Sequence, residues 1–289
     1  MGQHAFIGLL IQASLMLIVA GVGLQSRWSD VLYARKRPDL LWRGFIAVNV
    51  IVPATATVLC LLIPIAWLTK VAICLMAVSP LAPFTPGKML KAGADTAFVN
   101  GLYVVLMLAA AVIVPVTIML LNTISPQPVT VPEFKLGLFI LQSVFLPLAI
   151  GLTVARFWPD FATKAAPIAR KLGFAIIIPL AILFVATKFH ALISLIGDGS
   201  FVTISAVVAA GIVGGHFLGG KSPGHRAAMA QAAATRHPGI AALIARRNFD
   251  DPQVIMAIVL FVLVSVVLCA IYARWGRRVL DHEPVPEAR

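Results

Sequence analysis

The sequence predicts an all-α polytopic membrane protein of about nine transmembrane helices, with inverted-topology repeats and two crossed broken helices. Composition is the first reason, because 60% of the 289 residues are hydrophobic and 12% are charged, whereas about a quarter of a soluble domain is charged. The second is that apolar runs of about 20 residues recur along the chain, each long enough to cross a hydrocarbon core about 30 Å thick. The third is that two of these runs are interrupted near the middle by a Pro-Gly pair.

The apolar runs give nine segments, and each must be helical because lipid offers no partner to open backbone N–H and C=O groups. We predict that they form one transmembrane unit over residues 1–280. The polar residues 281–289 contain two prolines and are predicted to be a disordered cytoplasmic tail. The nine segments are 5–24, 43–66, 70–90, 96–121, 134–155, 168–188, 201–219, 228–245 and 253–274.

The formal net charge of +12 is a topology signal. In a soluble protein it would suggest nucleic acid, but here the basic residues lie at the ends of apolar segments, so we predict a lipid bilayer and no nucleic acid as partner. Of the 23 Lys and Arg residues, seventeen follow odd-numbered segments or lie in the tail, five lie on the other side, and Arg236 lies within the eighth segment. We therefore predict a multi-pass inner (plasma) membrane protein with its N-terminus outside and its C-terminus in the cytoplasm.

The cysteines Cys60, Cys74 and Cys269 lie inside apolar runs, without paired spacing or neighbouring histidines. We interpret them as packing residues, and the sequence predicts neither a metal site nor a cofactor. A coupling ion, Na⁺ or H⁺, stays open on this basis.

The third and eighth segments are predicted to be broken helices. Proline removes a backbone donor and clashes with the preceding turn, and glycine adds conformational freedom, so each helix should kink or unwind at its Pro-Gly pair. The two pairs, at 86–87 and 238–239, are 152 residues apart. Segments one to four match segments six to nine at a similar shift, and a shift of five segments inverts the second half. A pair of tolerated kinks is the alternative, since both residues are common in membrane helices.

Charged side chains at these breaks predict an anion site. An arginine at a helix centre in the bilayer costs about 2.5–3.5 kcal/mol, so Arg236 and the adjacent His237 need a compensating role. We predict that Arg236, with Lys88, binds a carboxylate or sulfonate, and that His237 is a candidate carrier of a coupling proton. The predicted substrate-binding residues are Thr85, Pro86, Gly87, Lys88, Thr235, Arg236, His237, Pro238 and Gly239, with Asn49 and Asn100 as weaker candidates.

A structural interpretation of the same residues stays open. Arg236 would then snorkel to the interface, His237 would bond a neighbouring carbonyl, and Lys88 would lie at the cytoplasmic end of its segment. The two asparagines would only bridge helices, as polar groups within membrane spans often do.

Three blocks of residues match the patterns of one known family. In the first, a glycine-rich helix end at 21–24 leads through Ser29-Asp30 to a basic, proline-containing turn at 36–38. The second is the third span, where the family has Cys-Pro-Gly-Gly-x-x-Ser-Asn…Gly-Asp, and the third is the eighth span, where it has Glu-x-Gly-x-Gln-Asn. Pro80 and Asp95 keep their places in the former pattern, Thr85 and Pro86 stand at its serine and asparagine, and Ala233, Thr235, His237 and Pro238 occupy the latter. On these residues the chain resembles the bile acid:sodium symporter family, over essentially its whole length from the first predicted span to the ninth.

The resemblance implies alternating access between a panel domain and a core domain, with substrate and sodium handled beside the crossed helices. It assigns 5–24, 134–155 and 168–188 to the panel and the other six segments to the core. The substitutions indicate that the sodium sites are not retained. Sodium needs several hard oxygen ligands, whereas Ala233 replaces a carboxylate and prolines replace both asparagines.

A membrane-embedded enzyme and a membrane sensor or receptor are the competing classes of function. An enzyme would need paired acids or an activated nucleophile within the membrane, and the sequence has no His-Glu-x-x-His or Gly-x-Ser-x-Gly motif. A sensor would need a signalling domain, and the predicted cytoplasmic loops are short. We therefore predict a non-enzymatic secondary active transporter that moves a small organic anion, coupled to sodium, to protons or to neither. Its substrate, direction and oligomeric state do not follow from the sequence.

Overall fold

The computed structural model describes residues 3–125, 128–129, 137–138 and 140–279. Apart from one isolated β-bridge, the regular secondary structure of these residues is helical, which confirms the predicted all-α class. The helices are α1 (Gln3–Gln25), α2 (Trp28–Lys36), α3 (Pro38–Leu62), α4 (Trp67–Val78), α5 (Thr85–Lys91), α6 (Thr96–Asn122), α7 (Leu141–Phe157), α8 (Pro159–Thr187), α9 (Phe189–Ser194), α10 (Ser200–Leu218), α11 (Pro223–Ala234), α12 (Pro238–Asn248) and α13 (Gln253–Val279).

Among the described residues, six helices are long and apolar enough to cross a membrane: α1, α3, α6, α8, α10 and α13. The shorter apolar helices α4 and α7 accompany them. The chain is therefore a polytopic membrane protein, and the count of nine spans stays a prediction. The predicted tail 281–289 lies outside the described residues, as does part of the predicted segment 134–155.

Helix α8 departs most from its predicted segment, because it begins at Pro159 and not at residue 168. A proline fits the first turn of a helix, where no N–H is needed for an intrahelical bond. Pro167 and Pro179 lie inside α8 without ending it. The helix also carries Asp160 and Lys164, both exposed, so its first turns are polar. Hydropathy alone therefore missed these turns.

The two broken helices are each interrupted just before the Pro-Gly pair. Helix α4 ends at Val78 and α5 begins at Thr85, while α11 ends at Ala234 and α12 begins at Pro238. Both prolines thus start the second half-helix, the position where proline is best tolerated. The prediction that the helices unwind was right, but the unwound residues precede the pair.

The two breaks touch each other. Leu81 and Arg236 form an isolated antiparallel β-bridge, and the His237 N–H donates to the Pro80 carbonyl at 2.9 Å. These extended residues satisfy part of the backbone that the broken helices leave open. We call the place where they pair the crossing.

Helix α3 passes the crossing and contains a π-helical segment, Ala47–Ile51. Pro53 follows this segment closely and has no N–H to donate to the preceding turn, which loosens the helix there. Helix α7 repeats the pattern, with a π segment at Leu141–Phe145 followed by Pro147.

Helices α1, α7 and α8 pack against one another. A side chain at Gly23 of α1 would collide with the Leu148 carbonyl oxygen of α7, and one at Gly151 with the Ala20 carbonyl oxygen of α1. Glycine therefore lets these backbones approach closely. The same three helices correspond to the predicted panel, and their movement against the others stays a prediction.

Candidate functional site

A cavity of about 360 Å³ lies between α5, α11 and the C-terminal half of α13. Its lining includes Lys88 and Lys91 of α5, Gln231 of α11, and Cys269 and Tyr272 of α13. Lys91 is exposed, whereas Gln231 and Cys269 are buried, so the cavity extends from the surface into the helix bundle. Its size is in the range of small-molecule sites, about 300–1,000 Å³.

Lys88 lines this cavity, and its amino group lies inside the protein. Its Nζ atom is buried and has no hydrogen-bond partner among the described residues. The Phe84 ring is its nearby cation–π contact, with Nζ 5.2 Å from the ring centroid. An ammonium has three N–H donors, and a buried one without an acceptor is costly. Lys88 therefore has unsatisfied donors among the described residues.

Polar groups opposite Lys88 are held in place by hydrogen bonds. The Gln231 Nε2 atom donates to the Cys269 carbonyl at 2.9 Å, which ties α11 to α13. The Tyr272 hydroxyl lies 2.8 Å from Nδ1 of His216 on α10. Behind the cavity wall, the Thr235 hydroxyl lies 3.9 Å from the Cys269 sulfur.

A second contact joins the two loops at the edge of the cavity. Asp95 caps α6 by accepting the Phe98 N–H at 2.8 Å, and its other carboxylate oxygen lies 2.7 Å from His225 Nε2. Burial by itself would raise the pKa of the Asp95 carboxyl, but the hydrogen bonds from His225 and Phe98 lower that pKa below its ordinary value. Beside them, Gly93 adopts a φ of 91°, and a side chain at Gly224 would collide with the Gly93 carbonyl oxygen.

Arg236 lies at the crossing, and its guanidinium binds backbone carbonyls. Nη1 donates to the Ser79 carbonyl at 3.3 Å and Nη2 to the Val48 carbonyl at 2.5 Å. The residue is 2% exposed, and its Nε has no hydrogen-bond partner among the described residues. Arg236 thus does not snorkel to the interface.

His237 caps helix α12 with its ring. Its Nδ1 accepts the Ile240 N–H at 3.3 Å, and the residue is buried. At the C-terminus of α11, one of the carbonyls without an intrahelical partner is that of Ala234. It accepts a hydrogen bond from the Ser265 hydroxyl at 2.7 Å. Side chains therefore supply partners to both half-helices at the second break.

The structure divides the predicted site residues into groups. Lys88 lines the cavity, while Arg236 and His237 lie at the crossing. Asn100 donates to Asp30 at 2.9 Å, a buried link between α6 and α2. The others lie at the breaks or beside them: Thr85, Pro86 and Gly87 begin α5, Thr235 follows α11, and Pro238 and Gly239 begin α12. Asn49 lies in the π segment of α3, and its Nδ2 has no hydrogen-bond partner in the described part of the chain.

Sequence reasoning missed Gln231, Tyr272 and Lys91 as cavity residues. Two signals were available. Gln231 is a lone amide within the alanine-rich stretch 227–234, and Lys91 follows Lys88 by three residues, which places both on one helix face. Tyr272 gave no comparable signal, because an aromatic residue near the end of a membrane helix is ordinary.

Comparison with known proteins bears directly on this arrangement. The sequence profile described as "Sodium Bile acid symporter family" matches residues 13–195, more than half of the chain. The chain belongs to this family. The match includes the first broken helix and Lys88, and it ends before the second broken helix. Among curated proteins, none matches the chain at a significant level. A symporter family is a family of transporters, so the protein is a multi-pass membrane protein of a transporter family.

Proposed function

We propose that the protein is a secondary active transporter that moves a small organic anion by alternating access. The observation that carries this proposal is the Lys88 ammonium, buried and without a hydrogen-bond partner among the described residues, at the wall of the 360 Å³ cavity. A carboxylate or sulfonate would accept charge-assisted hydrogen bonds from it. The apolar parts of the anion would contact Val266, Ala270 and Ala273 on α13.

We propose that this cavity is the entrance from the cytoplasm. It is lined by the end of α5, the start of α11 and the last turns of α13. The charge asymmetry of the sequence assigns all three of these segments to the cytoplasmic side. Movement of the panel, α1, α7 and α8, against the other helices would then close this entrance and open the opposite one.

The coupling ion is part of the proposal. His237 is our candidate for a coupling proton. Because Nδ1 accepts from Ile240, Nε2 bears the hydrogen of the neutral ring, so the coupling proton would bind Nδ1 and displace the Ile240 N–H from it. A direct contact between Arg236 and the anion also stays a proposal, since both terminal nitrogens of its guanidinium donate to carbonyls in this conformation.

Uptake into proteoliposomes tests this function. The purified protein would be given labelled carboxylates and sulfonates, with neutral amides of the same carbon skeletons as matched controls. Each compound would be tested with a sodium gradient, with a proton gradient and with neither. We expect uptake of at least one anion above empty liposomes and no uptake of its neutral amide. Equal uptake of an anion and its amide, or of amides alone, would refute the anion assignment.

A further inference from the structure

Arg236 is a buried cation whose partners are carbonyl oxygens. The residue is 2% exposed, and its guanidinium donates to the carbonyls of Ser79 and Val48. The ion pairs of the described residues do not include it. Its charge is therefore balanced by backbone dipoles.

The oxygens of these two carbonyls each lack a backbone N–H partner within their helix, for a different reason in each case. Ser79 follows the last residue of α4, and the carbonyls at a helix C-terminus carry a partial negative charge. Val48 belongs to the π segment of α3, where the fifth residue further on is Pro53, which has no N–H to donate to it. Two carbonyls from different helices thus converge on one point, where a positive charge stabilises them.

We propose that the Arg236 guanidinium is a resident cation, which takes the place of a mobile coupling cation at the crossing and makes transport independent of sodium. This inference rests on the proposed function. Transporters built from broken helices hold Na⁺ with unwound backbone carbonyls and with the C-terminal ends of half-helices. Arg236 binds oxygens of the same kind, and because it is covalently part of the chain it cannot leave with the substrate. Its backbone also pairs with that of Leu81.

The neighbouring carbonyls at the breaks also have protein donors. The Pro80 carbonyl accepts the His237 N–H at 2.9 Å, and the Ala234 carbonyl accepts the Ser265 hydroxyl at 2.7 Å. A sodium ion at these four oxygens would have to displace N–H or O–H groups. The resident cation is therefore integrated into the backbone pairing of the crossing.

Thermal unfolding of the purified protein tests this inference without any substrate. Wild type, Arg236→Ala and Arg236→Lys would be compared in choline chloride, sodium chloride and guanidinium chloride, at one ionic strength well below denaturing concentrations. Arg246→Ala is the matched control, because Arg246 is exposed on α12.

We expect the wild type and the control each to unfold at the same temperature in choline chloride as in sodium chloride. Arg236→Ala should unfold earlier in choline and recover in guanidinium or sodium, which enter the vacated site. Arg236→Lys should keep most of the stability.

Uptake of the anion supplies the second measurement. We expect wild-type uptake to be the same with and without sodium. In Arg236→Ala it should fall at least about tenfold in choline, because the buried carbonyls lose their cation, and be restored in part by guanidinium or sodium.

Three results would overturn the resident cation. They are a sodium-dependent rise in the unfolding temperature of the wild type, sodium-driven uptake by the wild type, and an Arg236→Ala protein that is as stable as the wild type and indifferent to every cation. Should Arg236→Ala fail to fold, the wild type and Arg236→Lys still decide between these results. Because the unfolding series contains no anion, it stands even when no anion proves to be transported.

Discussion

His225 Nε2 lies 2.7 Å from Asp95 Oδ2, and this contact joins the first turn of α11 to the residue that caps α6. Both residues adjoin the loops that border the cavity, where Gly93 and Gly224 are in close approach. The His225 ring also packs on Phe98, with ring centroids 4.3 Å apart. One histidine therefore holds two loops together at the cavity edge.

Asp95→Ala is expected to destabilise the protein by about 0.5–2 kcal/mol at neutral pH, because α6 loses its N-cap. Asp95→Asn keeps a capping oxygen and should cost less than about 1 kcal/mol, since the half-exposed ion pair contributes little.

The stability that Asp95 contributes should depend on pH. The folded-state pKa of Asp95 lies below its ordinary value, so its contribution to the free energy of unfolding is present above about pH 3.8 and is lost as pH falls through the lowered pKa. Thermal unfolding between acidic and neutral pH measures this, with the exposed Asp250→Asn as control. The prediction would be contradicted if the unfolding temperatures of both Asp95 variants fell toward acidic pH as steeply as that of the wild type.

Lys88→Met is expected to weaken anion transport and to strengthen the fold. Loss of a charge-assisted hydrogen bond should raise the KM for the anion roughly tenfold to a hundredfold. Removal of a buried ammonium that has no hydrogen-bond partner among the described residues should raise the unfolding temperature, because its desolvation is no longer a cost. Uptake kinetics and thermal unfolding measure the two effects. Lys164→Met, at an exposed position of α8, should change neither. A structural lysine would give the opposite sign of the stability change.

Asn100→Ala is expected to lower stability by about 1–3 kcal/mol and to leave the KM unchanged. Its Nδ2 donates to the Asp30 carboxylate at 2.9 Å, and Asp30, 6% exposed, also accepts the Arg27 N–H. A double-mutant cycle with Asp30→Ala should be non-additive, because both changes remove the same bond. A changed KM in a stable Asn100→Ala protein would return this residue to the substrate site.

Gly215→Ala is expected to destabilise the packing of α10 against α11 by about 1–3 kcal/mol. A Cβ at Gly215 would lie 2.5 Å from the Met229 carbonyl oxygen and 2.7 Å from the Ala230 nitrogen, so the helices must separate. Gly8→Ala in α1 is the matched control, because no atom lies within 4 Å of its added Cβ. The control should be neutral or stabilising, since alanine favours a helix over glycine. Denaturation curves of both variants measure the difference, and equal effects would argue against close packing at Gly215.

Hydropathy predicted most of the long helices well, because a bilayer span requires a continuous apolar run. The predicted segments 96–121 and 201–219 agree closely with Thr96–Asn122 and Ser200–Leu218. Hydropathy failed where a helix extends beyond its apolar residues, as α8 does in its polar first turns. The Pro-Gly pairs predicted the breaks correctly but not their positions, because proline starts a half-helix more readily than it interrupts one.

The candidate site was predictable in part. Lys88 and Arg236 were singled out because charge is costly within an apolar segment. Their different roles could not be predicted from the sequence. The partner of Arg236 on α3 is the Val48 carbonyl, which is free to accept a hydrogen bond because it lies in a π segment and Pro53 has no N–H to donate to it. A backbone carbonyl has no signature of its own in a sequence. Gln231 stood out in the sequence as one amide among alanines, but its partner, the Cys269 carbonyl on α13, is known only from the structure.

The attachment of Arg236 to the chain has an electrical consequence. A cation that is part of the protein would stay behind in every cycle, so it would not offset the charge of the anion, and only the proton proposed for His237 could do so. The membrane potential acts on that charge with about 2.3 kcal/mol per elementary charge for every 100 mV. Without that proton, a negative interior would oppose the entry of a monovalent anion and drive its exit, so the voltage alone would export it.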